Sequence, residues 1–238
     1  MKNRIWELDA FRGLCVLGMV AVHLILDLVV LYRLIPVELP AAFNFIQLWG
    51  GVLFLVISGI SATLGSRSIR RGLIVLGCGA TVFIVTLSMY LLGLADKGMI
   101  IWFGVLQCLG VCMLLWAGFK KLPTWLLAVL GVGMIAAGLY LRSVILVDVP
   151  WLVWLGFLYP GFVSADYFPL LPHLGFFLLG AVLGRTVYGK KVSLLSGVNV
   201  KNPLIRFLTG CGKLSLPIYM LHQPVITGIV WLIAILVR

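Results

Sequence analysis

Charge is scarce in this chain: 11% of its 238 residues are Asp, Glu, Lys or Arg, and only seven are acids. With 63% hydrophobic residues and a mean hydropathy of +1.19, that scarcity excludes both a soluble globular domain and a disordered chain. The five cysteines are odd in number and form no C-x-x-C pair, so neither a disulfide framework nor a thiolate metal site is expected. Three scattered histidines supply no metal-ligand spacing either. A P-loop, a dinucleotide-binding glycine motif, a G-x-S-x-G elbow and a haem motif are all missing. Without an internal repeat, an inverted-repeat transporter has no support. Long polar stretches are missing too, which leaves no room for a separate water-soluble domain or a nucleic-acid module.

What is present is a series of apolar runs, each about twenty residues long. A helix rising about 1.5 Å per residue needs that length to cross roughly 30 Å of hydrocarbon. The runs predict spans over Asp9 to Tyr32, Phe43 to Leu64, Leu73 to Leu92, Ile100 to Phe119, Thr124 to Leu141, Leu170 to Val187 and Phe207 to Leu236. The net charge of +11 then reads as topology. With the N-terminus in the cytoplasm, the inner segments hold Lys2, Arg4, Arg67, Arg70, Arg71, Lys120, Lys121, Arg185, Lys190, Lys191, Lys201 and Arg206. The outer segments hold Arg33, Lys97, Arg142 and Arg238 beside Glu38, Asp96, Asp148 and Asp166, as the positive-inside rule requires. The expected architecture is an all-α polytopic transmembrane bundle of about seven spans, N-in and C-out, forming one integral-membrane domain over 1–238 in the cell membrane.

The stretch 143–169 carries Trp151, Trp154, Phe157, Tyr159 and Tyr167 with Pro150, Pro160 and two acids. It reads as an interfacial or re-entrant outer segment, with an eighth crossing as the alternative. The first span is expected to stay attached rather than be cleaved as a signal peptide, since it carries His23 and Asp27 and no small-residue cleavage site follows.

Ionisable residues inside a span cost several kcal/mol and are functional by default. At about 100° per residue, Asp9, Arg12, His23 and Asp27 fall within a sector of about 60° on the first helix. Read functionally, His23 is a general base or transient acyl carrier, Asp27 orients its imidazole, and Arg12 anchors an anionic ligand near the inner face. The competing reading is helix-packing glue, which Ser or Asn would provide at far lower desolvation cost. Asp9 fits the structural role better, at the positive end of the helix dipole and three residues from Arg12.

On the second span, Asn44, Gln47, Gly51, Ser58, Ser61 and Gly65 share one face. Small residues there suit close helix packing, while Gln47 and Asn44, near the outer end, are candidates to line a substrate cavity. Asp166 and His173 are candidates for an outer cavity, and His222 with Gln223, between Pro217 and Pro224, for a ligand contact or for satisfying freed backbone groups. Arg67, Arg70 and Arg71 could hold an anionic cofactor or simply fix orientation. The cysteines read as packing residues.

The segment Leu8-Asp9-Ala10-Phe11-Arg12-Gly13, followed by His23, resembles the start of the heparan-α-glucosaminide N-acetyltransferase catalytic-domain family, within the wider acyltransferase-3-like group of membrane enzymes. The Arg, ten residues, His spacing of that group matches Arg12 and His23. Similar in the same order are Leu53 to Ser61, Pro172 to Gly180, Gly212 to Leu216, Tyr219 and Leu221-His222-Gln223-Pro224. The resemblance implies transfer of an acetyl or other short acyl group from cytoplasmic acetyl-CoA (acyl-CoA) to an amine or hydroxyl, commonly of a sugar, with His23 as catalytic histidine and Arg12 as its paired arginine. Expected partners are acyl-CoA, a sugar or glycan acceptor and membrane lipid, with self-association as a further option and neither metal nor nucleic acid. The transfer runs either directly, with His23 as base, or through an acyl-histidine. The competing class is a small proton-linked transporter using a His23/Asp27 relay; a third is a purely structural membrane protein.

Overall fold

The computed structural model describes residues 5–144, 149–195 and 197–237; Lys2, Arg4, Asp148 and Arg238, which enter the charge bias, lie outside them. Helix makes up 73% of the structure, and no strand occurs among the described residues. The order is α1 (Trp6–Leu26), α2 (Ala41–Leu64), α3 (Ser68–Leu91), α4 (Val105–Phe119), α5 (Thr124–Val144), α6 (Leu170–Thr186), α7 (Pro203–Lys213) and α8 (Ser215–Val237). α1, α2, α3, α5 and α8 are long and apolar enough to cross a membrane, while α4 and α6 are shorter apolar helices. Leu73, Ile74, Ile84 and Val85 of α3 are among many large apolar side chains left exposed, the surface a lipid-facing helix presents. The fold is therefore an all-α bundle of membrane helices.

Its packing divides into two compact units, Met1–Phe54 with Lys191–Arg238 and Leu55–Lys190, and the boundary falls inside α2. In the first unit α1 packs on α7 and α8. A Cβ on Gly13 would occupy the Leu208 carbonyl oxygen, and one on Gly212 the Asp9 carbonyl oxygen, so α1 and α7 meet backbone to backbone. The Glu7 carboxylate fastens the start of α1 by accepting from the Ser193 hydroxyl (2.8 Å) and the Leu194 N–H (2.8 Å).

The second unit uses the same device. α6 crosses the end of α2 where Gly59 meets the Phe177 carbonyl and Gly180 meets the Val56 carbonyl. Gly131 of α5 and Gly175 of α6 approach each other, as do Gly72 of α3 and Gly110 of α4. The close-packing glycine of α2 is Gly59, one position off the small polar face expected to pack; on that face Ser58, Ser61 and Gly65 instead line a small cleft with Ser68, Arg71 and Met113. Arg185 closes the end of α4, donating to the Lys120 and Leu122 carbonyls (both 2.7 Å) and lying over the Trp116 ring. Cations suit that position because the last carbonyls of a helix lack intrahelical partners.

Two expected spans differ from the observed helices. The span drawn from Phe207 to Leu236 is two helices, divided at Leu214 (φ −100, ψ 16). α7 starts at Pro203 behind the Asn202 cap and has 11 residues, about 16 Å of rise, too short to cross. The run expected from Ile100 becomes helical only at Val105, because Gly104 is the cap, with Gln107 reaching back to the Gly104 N–H (3.0 Å) and the Asp166 carboxylate accepting from the Val105 N–H (3.0 Å).

The described part of the segment expected on the outer side, 149–169, contains one short 3-10 turn, Pro150–Leu152. Its backbone is satisfied locally: Phe168 N–H donates to the Phe103 carbonyl (2.8 Å), Leu170 N–H to that of Trp154 (2.9 Å) and Leu171 N–H to that of Leu155 (3.0 Å). Trp151 is exposed. The Tyr167 hydroxyl donates to the Val153 carbonyl at 2.7 Å, and burial pushes its phenol up to about 12. A phenol pKa raised above its unfolded value near 10 contributes stability below pH 10 that is lost as pH rises towards 12. Wild type is accordingly expected to lose thermal stability between pH 10 and pH 12 more steeply than Tyr167→Phe, measured by unfolding in detergent.

The glycine crossings yield a sharper expectation. Gly59→Ala must displace the Phe177 backbone, an overpacking cost of about 1–3 kcal/mol, whereas a Cβ at Gly77 meets nothing within 4 Å. Gly77→Ala should be neutral or gain up to about 1 kcal/mol of helix propensity. Thermal unfolding of the two purified variants beside wild type checks both signs.

Candidate active site

The first unit contains the ionisable stripe. Arg12 donates to the Asp9 carboxylate at 3.0 Å, and Asp9 is buried, so the pair expected at the inner end of α1 exists. One turn of α1 before His23, the Met19 carbonyl lies 2.9 Å from His23 Nδ1. A carbonyl only accepts, so Nδ1 carries the hydrogen and, in the neutral ring, Nε2 presents its lone pair. That is the tautomer a general base or nucleophile requires.

Asp27 does not provide the orientation expected of it. It is 4% exposed and its carboxylate is occupied by α8: Gln223 Nε2 donates to both oxygens (3.1 and 3.1 Å) and the Thr227 hydroxyl to one (3.0 Å). The Met19 carbonyl orients His23 in its place. At Asp27 the helix also widens into a π turn, Asp27–Leu31, in which the Tyr32 N–H reaches the Asp27 carbonyl at 2.9 Å. π turns recur at functional sites.

Sequence reasoning offers His222 with Gln223 as candidates but points to neither Thr227 nor Met19. The His222 ring stands edge-on to His23, centroids 4.8 Å apart and planes at 77°, and its Nδ1 lies 2.5 Å from the Tyr219 carbonyl. α1 and α8 thus converge on one polar cluster of His23, Asp27, His222, Gln223 and Thr227. The sequence signal was modest: Gln223 and Thr227 are one turn apart in an otherwise apolar helix, which places them on one face.

The remaining candidates have other surroundings. Asn44 and Gln47 are exposed on α2. In the second unit, Asp166 caps α4, and His173, 3% exposed, has its Nδ1 2.7 Å from the Pro169 carbonyl and its ring against Phe168. Those local partners account for both residues in structural terms. Arg67, Arg70 and Arg71 are exposed, and of the three it is Arg71 that lines the cleft at the end of α2. Among the described residues no group of three or more His, Cys, Asp or Glu has metal-binding proximity.

Apolar helices of spanning length enclosing a His–Asp–His cluster define a multi-pass membrane protein with a polar site within its helices. The chain belongs to the heparan-alpha-glucosaminide N-acetyltransferase catalytic family, whose model matches residues 4–224. Membership makes it an acetyltransferase of the membrane. No curated protein and no solved structure matches the chain.

The carboxylate of Asp27 is the hub of the cluster. Asp27→Ala strands two buried donors and should cost about 3 kcal/mol, whereas Thr227→Val removes one donor to the carboxylate and leaves Gln223 bonded to Asp27, and should cost about 1–2 kcal/mol. Unfolding temperatures of the two variants in detergent test that ranking.

Proposed function

We propose that the chain moves an acetyl or other short acyl group from cytoplasmic acyl-CoA to an amine or hydroxyl of a sugar-like acceptor, at or across the cell membrane. The observation that carries this reading is His23 itself: its Nδ1–H is held by Met19, its Nε2 is freed, and it stands on the helix face that bears Arg12 about 16 Å away along the axis. With N-in topology and seven spans, Arg12 meets the phosphates of the donor at the inner mouth while the thioester reaches inward. The exposed Arg67, Arg70 and Arg71 are further candidates to bind those phosphates, and Asn44 and Gln47 are acceptor-side contacts. The family match runs through both compact units, which supports reading them as parts of one catalytic domain.

In the direct route, His23 Nε2 removes the proton of the acceptor N–H or O–H as that atom attacks the thioester carbonyl carbon. The tetrahedral intermediate collapses by breaking the carbon–sulfur bond, and the imidazolium returns its proton to the departing thiolate. Amide or ester and free CoA thiol result, and the histidine ends neutral. Asp27, on the next turn, supplies negative charge that favours the transient imidazolium. A transporter would use the same residues as a proton relay, but it gives no role to Arg12 at the helix end.

Acetyl-CoA binding and acetyl transfer to glucosamine, measured on purified protein in detergent, test the proposal. His23→Ala should bind acetyl-CoA within about threefold of wild type while transfer falls at least about 10³-fold. Arg12→Gln paired with Asp9→Asn, which leaves no stranded buried charge, should lose most donor binding. A folded wild type that binds neither acetyl-CoA nor longer acyl-CoAs would overturn the assignment, and an acetylated His23 trapped without acceptor would replace the direct route by the stepwise one.

A further inference from the structure

Among the described residues, two buried polar side-chain atoms have no hydrogen-bond partner: His222 Nε2 and Gln223 Oε1. Both belong to the cluster, His222 against the His23 ring and Gln223 against Asp27, and the chemistry of each can be fixed from what its other end does. His222 Nδ1 faces the Tyr219 carbonyl, so it carries the hydrogen and Nε2 of the neutral ring is an acceptor. Gln223 turns its amide NH2 to the Asp27 carboxylate and to the Thr227 hydroxyl. A carboxylate only accepts, so the amide cannot be reversed, and Oε1 is an acceptor as well.

Two buried acceptors and no unused donor make the cluster complementary to hydrogen-bond donors. A buried acceptor without a donor is unfavourable, and a site built to bond N–H or O–H groups rejects analogues that lack them. The thioester of the acyl donor presents only acceptors at the reacting carbon, its N–H groups lying further along the pantetheine arm, whereas the nucleophile brings its N–H or O–H to the point of attack. The group that fits is the nucleophilic substrate.

We propose that His222 and Gln223 form the acceptor-side subsite, selecting a nucleophile that carries at least two N–H or O–H groups, such as an amino alcohol or a polyol. Edge contact with the His23 ring puts a donor group bound at His222 next to the base. Asp27 and Thr227 act here as positioning residues, holding the Gln223 carbonyl away from the carboxylate. The proposal rests on the acyltransferase reading for its chemistry, but binding of the acceptor can be measured without the donor.

The full chain in detergent would be assayed with glucosamine and 2-aminocyclohexanol as two-donor probes and cyclohexylamine as a one-group probe. His222→Phe keeps a ring against His23 and removes Nε2. It should raise the KM for glucosamine about tenfold or more, leave acetyl-CoA binding unchanged, and narrow the preference for glucosamine over cyclohexylamine. His222→Gln, which offers an amide oxygen, should recover part of that loss, a rescue that a packing role alone would not give. Should His222→Phe fail to fold, Gln223→Lys serves instead, keeping a donor for Asp27 while deleting Oε1, with the same expected rise in KM. Unchanged glucosamine KM and selectivity in a folded variant overturn the subsite. Direct titration separates the two claims: glucosamine binding that His222→Phe abolishes in a protein indifferent to acyl-CoA upholds the subsite and sinks the transferase, whereas a folded wild type that binds neither two-donor probe sinks the subsite.

Discussion

Backbone against backbone is the contact on which this structure depends. In hydrocarbon a leucine gains nothing by leaving lipid for another leucine, so helices associate through dispersion at short range and through polar bonds. Gly13 and Gly212 in one unit, and Gly59 and Gly180 in the other, remove the Cβ atoms that would hold helix axes apart. The crossings fix the helices independently of the large exposed apolar faces, which are thereby left to the lipid. A bundle so poor in charge can then hold a few polar groups at defined depth without relying on a dry packed core alone.

The polar cluster in the first unit follows the second route to helix association, hydrogen bonding. The buried Asp27 carboxylate would be prohibitive on its own, and Gln223 and Thr227 supply the donors that make it tolerable. Because they come from α8, the bonds also tie α1 to α8. The same bonds therefore hold the helices together and aim the amide oxygen of Gln223 back into the cluster. The bonds that act as glue between α1 and α8 thus lie in the same cluster as the candidate site residues.

Helical periodicity made much of this legible. The angle between Arg12, His23 and Asp27 follows from 100° per residue, and the α1 stripe needed nothing more. Periodicity does not name partners across the bundle, however, which is why Asp27 was paired with His23 on its own helix when its hydrogen bonds run to α8. Carbonyl partners are invisible for a similar reason: every residue has one, so Met19 carries no mark of orienting His23. The division at Leu214 was hidden because α7 and α8 are both apolar enough to continue a hydropathy run, and the delayed start of α4 because its cap, Asp166, comes from a segment some sixty residues away in sequence. Asp166 and His173 looked functional for being polar near a membrane surface; capping and a carbonyl contact explain them without a ligand.

The π turn at Asp27 adds the last constraint on the site. A regular helix would continue to present residues 31 and 34 on the face of Asp27. One wider turn, closed by the Tyr32 N–H on the Asp27 carbonyl, shifts the phase of the chain and ends the helix within a few residues. The residues of that turn beyond Asp27, Leu28 to Leu31, are apolar and partly exposed, and Tyr32 and Arg33 follow them. The two imidazoles in edge contact lie one turn before this change of phase, so the π turn bounds the polar cluster along α1.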